Sequence, residues 1–469
     1  MNVIRAVCVA VSAGLLWTGG CGGESDAPAD PRAATVDQQV RKKWGKGLDE
    51  LPSVNLSIVS PHNEDIRNEF QWAFSLHHAV QYGSKVSVVW RDVGGGSTAV
   101  LRYLLNVYDK SDTAEIDVVW GGGQYNFQVL AGKGVLQPMN LSDEVAEQIP
   151  ATFGVIQLRD PNRLWCGSAI SGFGFLYNLP LLKRAKIDPP KQWDDLAAAA
   201  CFDHICLADP TQSGSAAAAY EMIVQSAETW PDGWAKLLAI LGNTKKFKDS
   251  ASGAANAPVV GESALAACID FYGIMRVAKA PDVLFYVSPE GQTAYDPDPI
   301  AILKNPPSAE LAQRFVDFVL SRRGQALWAL RVGETDGPIR NALGRQPIRR
   351  DFYGHHEGKL LPRVTNPYET GGEMKVDLKM RRVRFGVLRQ LVRAAAIDNR
   401  QFLRAARKKL IETGSEPRRR AEFNRLPDNV ATREKIAEVA ARLGDKAEAE
   451  KITTGWQRFF RDKYKRVAE

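Results

Sequence analysis

Histidine and cysteine are both scarce in this chain, six of each in 469 residues, and their placement removes whole classes of chemistry. Four of the histidines form the adjacent pairs His77-His78 and His355-His356, whose members do not face each other on a helix. Both pairs read as surface residues, which leaves little general-base chemistry. No Cys-x-x-Cys or mixed Cys/His spacing of a zinc site occurs. The GxxxxGK[ST] phosphate loop, the HExxH helix and the GxSxG elbow are missing as well. Ser171 to Phe175, "SGFGF", lacks the spacing of a dinucleotide fingerprint. A carboxylate pair of the glycosidase kind can lie anywhere in sequence and is not excluded by counting. The chain is read as a non-enzyme, with no catalytic residues, no cofactor and no resident metal.

Long apolar runs are absent too, except at the start. Arg5 precedes the run Ala6 to Trp17, which is short for a membrane span, so residues 1–20 read as an export signal. Gly19-Gly20-Cys21 resembles the end of a bacterial lipobox, although Thr18 stands where Leu is usual. That implies lipidation at Cys21, with ordinary cleavage beside a spare cysteine as the alternative. Residues 21–52 are small, polar and Pro-containing, as a tether is. The expected location is the periplasm, with the protein anchored to the membrane through its lipid. Export permits disulfides among Cys166, Cys201, Cys206 and Cys268. Cys201 and Cys206 are close enough to close a small loop, but other pairings and four reduced thiols stay open.

Charge is unevenly spread. Residues 1–330 hold 28 Lys+Arg against 35 Asp+Glu, and residues 331–469 hold 33 against 19. Such asymmetry fits either a nucleic-acid or membrane contact or a basic segment packed on an acidic body. The second is favoured, because the basic residues alternate with regular apolar positions. No nucleic-acid partner is expected.

Short apolar strands alternate with helical patterns over residues 53–285, the punctuation of an α/β fold. Strands are expected at 54–60, 85–93 and 115–123, each followed by a polar or Gly-rich loop, where ligands bind in open α/β sheets. "SAISGFGFLYN" (168–178) is an extended segment and "VLFYVSPEG" (283–291) reads as a strand returning to the first unit. Residues 308–330 are amphipathic behind a Ser308 cap. Residues 376–466 read as three or four basic helices, broken at Gly414 to Pro417 and at Gly444-Asp445.

Five segments then carry a resemblance. They are "SIVSPHNEDIRNEF", "VVWRDVGGGSTAVLRYL", "SGFGFLYNLPLLKRAKIDPPKQWDDLA", "ADPTQSGSAAAAYEMIVQ" and "YDPDPIAILKNPPSAELAQRFVDFVLSRRGQALWAL". In order and spacing they resemble the periplasmic substrate-binding proteins of ABC importers, in the branch of ferric-iron, spermidine/putrescine and phosphonate binders. The resemblance runs from about Val54 to Leu330. It implies an α/β, two-lobed periplasmic-binding-protein clamshell of type 2, here with an all-α C-terminal extension. The expected division is a first lobe from 53–165 and 286–330, a second from 166–285, and the basic extension over 331–469. The implied partners are a small solute and the permease and ATPase subunits of an importer, with the protein acting as a monomer. A solute sensor or scaffold without a transport role is a further alternative.

In such proteins the solute lies between the lobes, against loops and helix starts. Here Gly95, Gly96, Ser97 and Thr98 would come from the first lobe, and Ser213, Gly214 and Ser215 from the second. Each helix start carries unpaired N–H groups and roughly +0.5 charge. His62 and Asn63 follow the first strand, Gly122 and Gly123 the third, and Ser171, Asp270 and Tyr272 complete the expected ligand set. Trp120 and Phe173 are candidate aromatic walls. Asp296 and Asp298 read as bracing a turn. A small anion, such as a phosphonate or phosphorylated compound, is preferred. Ferric iron ranks second: His62, Glu64 and Tyr272 would ligate it, with Tyr177 in reach, but Phe271-Tyr272 replaces the paired tyrosines of the iron binders. A cationic amine, met by Asp270, ranks third.

Overall fold

The computed structural model describes residues 32–362, 364–369, 374 and 376–469. The expected export signal and the expected lipidation site Cys21 lie outside the described residues. The expected tether ends earlier than 52: Ala33–Trp44 form helix α1, and its Val36 and Val40 are buried against Leu51 and Ala79.

Lobe 1 begins with β1 (Ser53–Val59), α2 (Glu64–Tyr82) and β2 (Lys85–Arg91). Asn63 caps α2 by accepting from the Ile66 N–H at 3.1 Å, and Gly83 ends it at φ 71°. Then come α3 (Ser97–Tyr108), β3 (Val118–Trp120), α4 (Gln124–Gly132) and β4 (Leu136–Gln137). The strands β5 (Cys166–Ser171) and β6 (Phe173–Asn178) divide the segment that the sequence suggests is continuous. β5 pairs in the first sheet and β6 in the second, so the chain changes lobe at Gly172.

Lobe 2 continues with β7 (Ile205–Ala208), α5 (Gly214–Gln225), α6 (Trp230–Asn243), β8 (Thr244–Lys248), β9 (Leu265–Ile269), α7 (Asp270–Lys279) and β10 (Leu284–Val287). β10 pairs antiparallel with β6, so it stays in lobe 2. The returning strand is β11 (Asp296–Leu303), antiparallel to β3, β4 and β5. The first sheet therefore runs β2-β1-β3-β11-β4 with β5 on β11, and the second runs β8-β7-β9-β6-β10. Parallel neighbours need a helical crossover, which α2 supplies between β1 and β2. The helices α8 (Ala309–Leu320) and α9 (Arg322–Ala329) seal lobe 1, burying Phe315, Phe318 and Trp328 against Phe70, Phe74 and Trp120.

The extension is part of both lobes. Residues 331–369 cross lobe 1, with Leu343, Ile348 and Phe352 in its core. The helices α10 (Leu378–Val392), α11 (Arg400–Glu412), α12 (Pro417–Asn424), α13 (Arg433–Arg442) and α14 (Lys446–Ala468) complete lobe 2. Trp193, Trp230 and Trp234 share one core with Leu388, Leu403, Trp456 and Phe460. This explains the small residues of α5. That helix is buried from Ala216 to Val224, and Ala217, Ala218 and Ala219 pack with Phe173 and Phe385 of α10. The architecture is thus the two-lobed α/β clamshell with a C-terminal helical region. All four described cysteines are free and buried, and burial pushes their thiols up, for Cys166 and Cys268 to about 12.

Candidate functional site

A cavity of about 580 Å³ lies between the lobes. Of the expected ligand set, His62, Asn63, Gly95, Gly96, Ser97, Gly122, Gly123, Ser171, Ser213, Gly214, Ser215 and Tyr272 all line it. Thr98 and Asp270 are not brought into it. Thr98 Oγ1 instead accepts from Arg389 at 2.6 Å.

Asp270 serves the crossover. Its Oδ2 accepts from the Gly172 N–H at 2.8 Å, and its own N–H donates to the Gly172 carbonyl at 3.0 Å. Burial pushes the Asp270 carboxyl up to about 6, against the opposing effects of the Gly172 N–H and Arg345. Joining β9–α7 to the point where the chain leaves lobe 1 is the work of a hinge anchor rather than of an amine ligand.

Asp298, expected in a turn, is the hub of the lobe 1 wall. It sits on β11, and its Oδ2 lies 2.7 Å from His62 Nε2 and 2.5 Å from Arg345 Nη1. Its Oδ1 accepts from the N–H of Gly122 at 2.8 Å. The N–H groups of Gly122 and Gly123, expected to meet the ligand, thus point at Asp298. Gly121, Gly122 and Gly123 take φ of 86°, 113° and 82°, a path that favours glycine. A Cβ on Gly121 would stand 2.6 Å from His62 Nε2, so the ring also needs that glycine. Burial alone would raise the Asp298 carboxyl, but Arg345 and His62 outweigh it and hold it well below the usual carboxylate range. Burial lowers His62 against the pull of Asp298. A neutral ring donating Nε2–H to Asp298 leaves Nδ1 as an acceptor, and that atom is buried without a partner among the described residues. Arg345 Nε is likewise buried and unpartnered.

The lobe 2 wall is made differently. Ser213 caps α5, accepting from the Ala216 N–H at 3.3 Å, and its hydroxyl lies 3.2 Å from that of Ser215. The two helix starts expected to face one another touch directly: the Gly214 N–H donates to Ser97 Oγ at 3.0 Å. One N–H of the proposed anion clamp is therefore taken by the other lobe. Phe173 and Tyr272 line the cavity as expected, whereas Trp120 is fully buried beneath it, edge-on to His62 at 4.5 Å. Tyr177 is stacked on Phe285 and does not line the cavity.

The residues that sequence reasoning missed are mostly cationic. Arg67, Arg345, Arg381 and Arg382 line the cavity, with Leu378 and Phe385 of α10. Arg345 pairs with Asp298, and Arg381 forms a two-pronged pair with Asp296, one prong at 2.8 Å. Arg67 donates to the Ser60 carbonyl at 2.6 Å, while its Nε is buried and unpartnered. Positions 378, 382, 385 and 389 share one helical face, the signal that places α10 over a site. Among the described residues no group of three or more His, Cys, Asp or Glu is placed to hold a metal ion. Burial raises the Tyr272 phenol above its ordinary value. His77 and His78 also depart from the surface reading. His78 is 1% exposed, its Nδ1 2.8 Å from the Ser84 carbonyl.

Residues 116–336 match the family model described as bacterial extracellular solute-binding protein. Over 161 residues the chain is 30% identical to the phosphoglycerate transport regulatory protein PgtC of Salmonella typhimurium, covering 34% of this chain and 40% of that one. It thus spans less than half of that relative's length. An uncharacterized protein of Haemophilus influenzae is 25% identical over 276 residues, 56% of this chain and 74% of its own. Among solved structures, the periplasmic binding protein AfuA of Actinobacillus pleuropneumoniae, with fructose-6-phosphate bound, gives a TM-score of 0.51 at 22% identity, over 58% of this chain and 81% of that one. Iron-bound HitA of Pseudomonas aeruginosa gives 0.51 at 17% identity, over 69% and 93%. Residues 116–336, a little under half of the chain, are thus similar to the bacterial extracellular solute-binding family, and the two-lobed fold is one shared with solved periplasmic binding proteins.

Proposed function

We propose that the protein is the extracytoplasmic solute-binding component of an ABC importer and captures a small phosphorylated anion between its lobes for delivery to a permease. The observation that carries this reading is a pair of arginines in the lining that have no ion-pair partner. Arg67 and Arg382 both line the cavity, and neither has an ion pair among the described residues. Glu64 and Asp249 also line it and are exposed, as Arg382 is, so water screens all three more than the half-buried Arg67. Hydroxyls of Ser97, Ser213 and Ser215 and the helix starts around them suit the oxygens of a phosphate. The mechanism is capture and closure: contacts shared by both lobes favour the closed arrangement. A ferric-iron cargo draws less support, because Phe271 stands beside Tyr272 in place of a second tyrosine and, among the described residues, no group of three or more His, Cys, Asp or Glu is placed to hold a metal ion.

The test is a thermal-shift screen of the exported protein against inorganic phosphate, phosphonates, sugar phosphates, phosphoglycerate, ferric citrate and polyamines. A ligand at a hundredfold its Kd stabilises by about 2.7 kcal/mol. A shift with a phosphorylated compound that is lost in Arg67→Gln supports the reading. A shift with ferric citrate alone, lost in Tyr272→Phe, sinks it. A second reading, a solute sensor, draws on the printed name of the 30%-identical relative, a transport regulatory protein. Solute binding without any docking to a permease would favour it.

A further inference from the structure

We infer that the C-terminal extension supplies a second anion contact to the cavity, at Arg382, so that the solute carries two anionic groups on one small body. This rests on the anionic-solute reading above and assigns the group that meets the far end of the solute.

The arginines of α10 and its continuation differ in what they do. Arg381 is paired with Asp296. Arg384 is buried against Glu221, with Nη2 2.5 Å from Oε1. Arg389 donates to the Pro210 carbonyl at 2.7 Å and to Thr98 Oγ1, and Arg393 donates to Asp209 at 2.6 Å. Arg382 has neither an ion pair nor a hydrogen bond among the described residues, yet it lines the cavity beside Leu378 and Phe385. Its paired neighbours fix the helix, and Phe385 also packs on Tyr125 of lobe 1 with ring centroids 4.8 Å apart. Arg382 is therefore a free cation carried on a clamped helix.

Arg382 reaches the cavity from the other lobe than Arg67 does. Arg67 belongs to α2 of lobe 1, and Arg382 to a helix built into lobe 2. A single tetrahedral anion leaves most of a 580 Å³ cavity unfilled, whereas cavities of this size take whole small molecules. A phosphate at one cation with a carboxylate or second phosphate at the other answers both charges and fills the space between.

The experiment is titration calorimetry on the exported full chain with 3-phosphoglycerate, fructose 6-phosphate and inorganic phosphate as probes. The first carries two anionic groups, the second only one. Arg382→Gln is expected to weaken 3-phosphoglycerate about tenfold, the scale of a charged hydrogen bond, and fructose 6-phosphate less than twofold. Arg382→Lys should recover part of the loss, and Arg67→Gln should weaken both. Because Arg382 is exposed and unpaired, its variants are expected to melt with the wild type. Equal losses on both probes overturn the inference by placing Arg382 on the phosphate itself. An unchanged 3-phosphoglycerate affinity in Arg382→Gln, or wild-type binding of fructose 6-phosphate without 3-phosphoglycerate, also overturns it while leaving the anion reading in place. If no phosphorylated probe binds, that reading falls and this one with it.

Discussion

Residues 331–369 and 376–469 form one basic stretch of sequence, but they meet the acidic body in different ways. The first stretch enters lobe 1 and delivers single buried cations: Arg345 to Asp298, and Arg349 to Glu144 and Asp351. The second builds a helical layer on lobe 2, with Arg384 on Glu221, Arg393 on Asp209 and Arg404 on Asp203. Part of the excess positive charge is therefore a matter of internal complementarity with the acidic lobes. The difference also assigns separate tasks. The first stretch completes the chemistry of the cavity wall, and the second completes a core and then lends the cavity one helix face.

The comparison is broken most severely by deleting residues 376–469. That removes the packing partners of Trp230, Trp234 and Leu238 in the lobe 2 core and takes away the Val430 carbonyl that accepts from Trp230 Nε1 at 2.8 Å. The deletion is expected to leave lobe 2 unfolded. Limited proteolysis and near-ultraviolet circular dichroism would report it, and a cooperative, native-like melt of the truncated chain would contradict the assignment. Next in size is Arg345→Ala. It strands Asp298 and His62 without their cation, and breaking a buried pair this way costs about 3–5 kcal/mol. Denaturant unfolding measures it; a loss under about 1 kcal/mol would mean that the hub does not depend on the extension.

A smaller effect separates the two buried carboxylates by pH. Asp298 is held low, so its contribution is present above the ordinary carboxylate range and is lost as pH falls toward its folded value. Asp270 has the opposite sign. Its folded value of about 6 lies above the ordinary carboxylate value of 3.8, so its protonated form is favoured in the fold and stability declines as pH rises from about 4 to about 6. Asp270→Asn should remove that decline, a matter of about 1–3 kcal/mol, in unfolding curves taken between pH 4.5 and 7.5. An unchanged slope would place the titration elsewhere. The smallest effect belongs to Arg389→Ala. It removes the bond from α10 to Thr98 of lobe 1 together with those to the Pro210 and Thr211 carbonyls of lobe 2, and small-angle scattering should show a wider average opening at a stability cost of about 1 kcal/mol.

What could be read from sequence follows from how local each signal is. The helix starts at Ser97 and Ser213 were legible because Gly, Ser and Thr before an apolar run announce a cap, and both reach the cavity. Asp296 and Asp298 were not. Pro297 and Pro299 alternate with them, and proline usually argues against an interior strand. Here the β11 register shifts between Asp298 and Pro299, a local irregularity that accommodates what the rule forbids. The strand at Leu284–Val287 was legible as a strand, but its apolar run does not say which sheet it joins. Asp270, which the sequence suggests as a ligand, is engaged instead in an exchange of hydrogen bonds with Gly172, a long-range pairing with no local sequence signal. The cations of the extension were legible as a packed basic segment. Their arrival at the cavity was not, since it depends on a third crossing between lobes that no local pattern marks.

The close approach of the two helix starts has a practical consequence. A Cβ added at Gly96 would stand 2.8 Å from the backbone carbonyl oxygen of Gln212, in the facing lobe. Gly96 itself has φ −94°, a conformation that alanine adopts without strain. One methyl group there acts as a doorstop: it leaves each lobe intact but keeps the pair ajar. Gly96→Ala is therefore a built-in handle for trapping the open protein, and a fluorophore pair across the cleft would turn the same position into a reporter of closure.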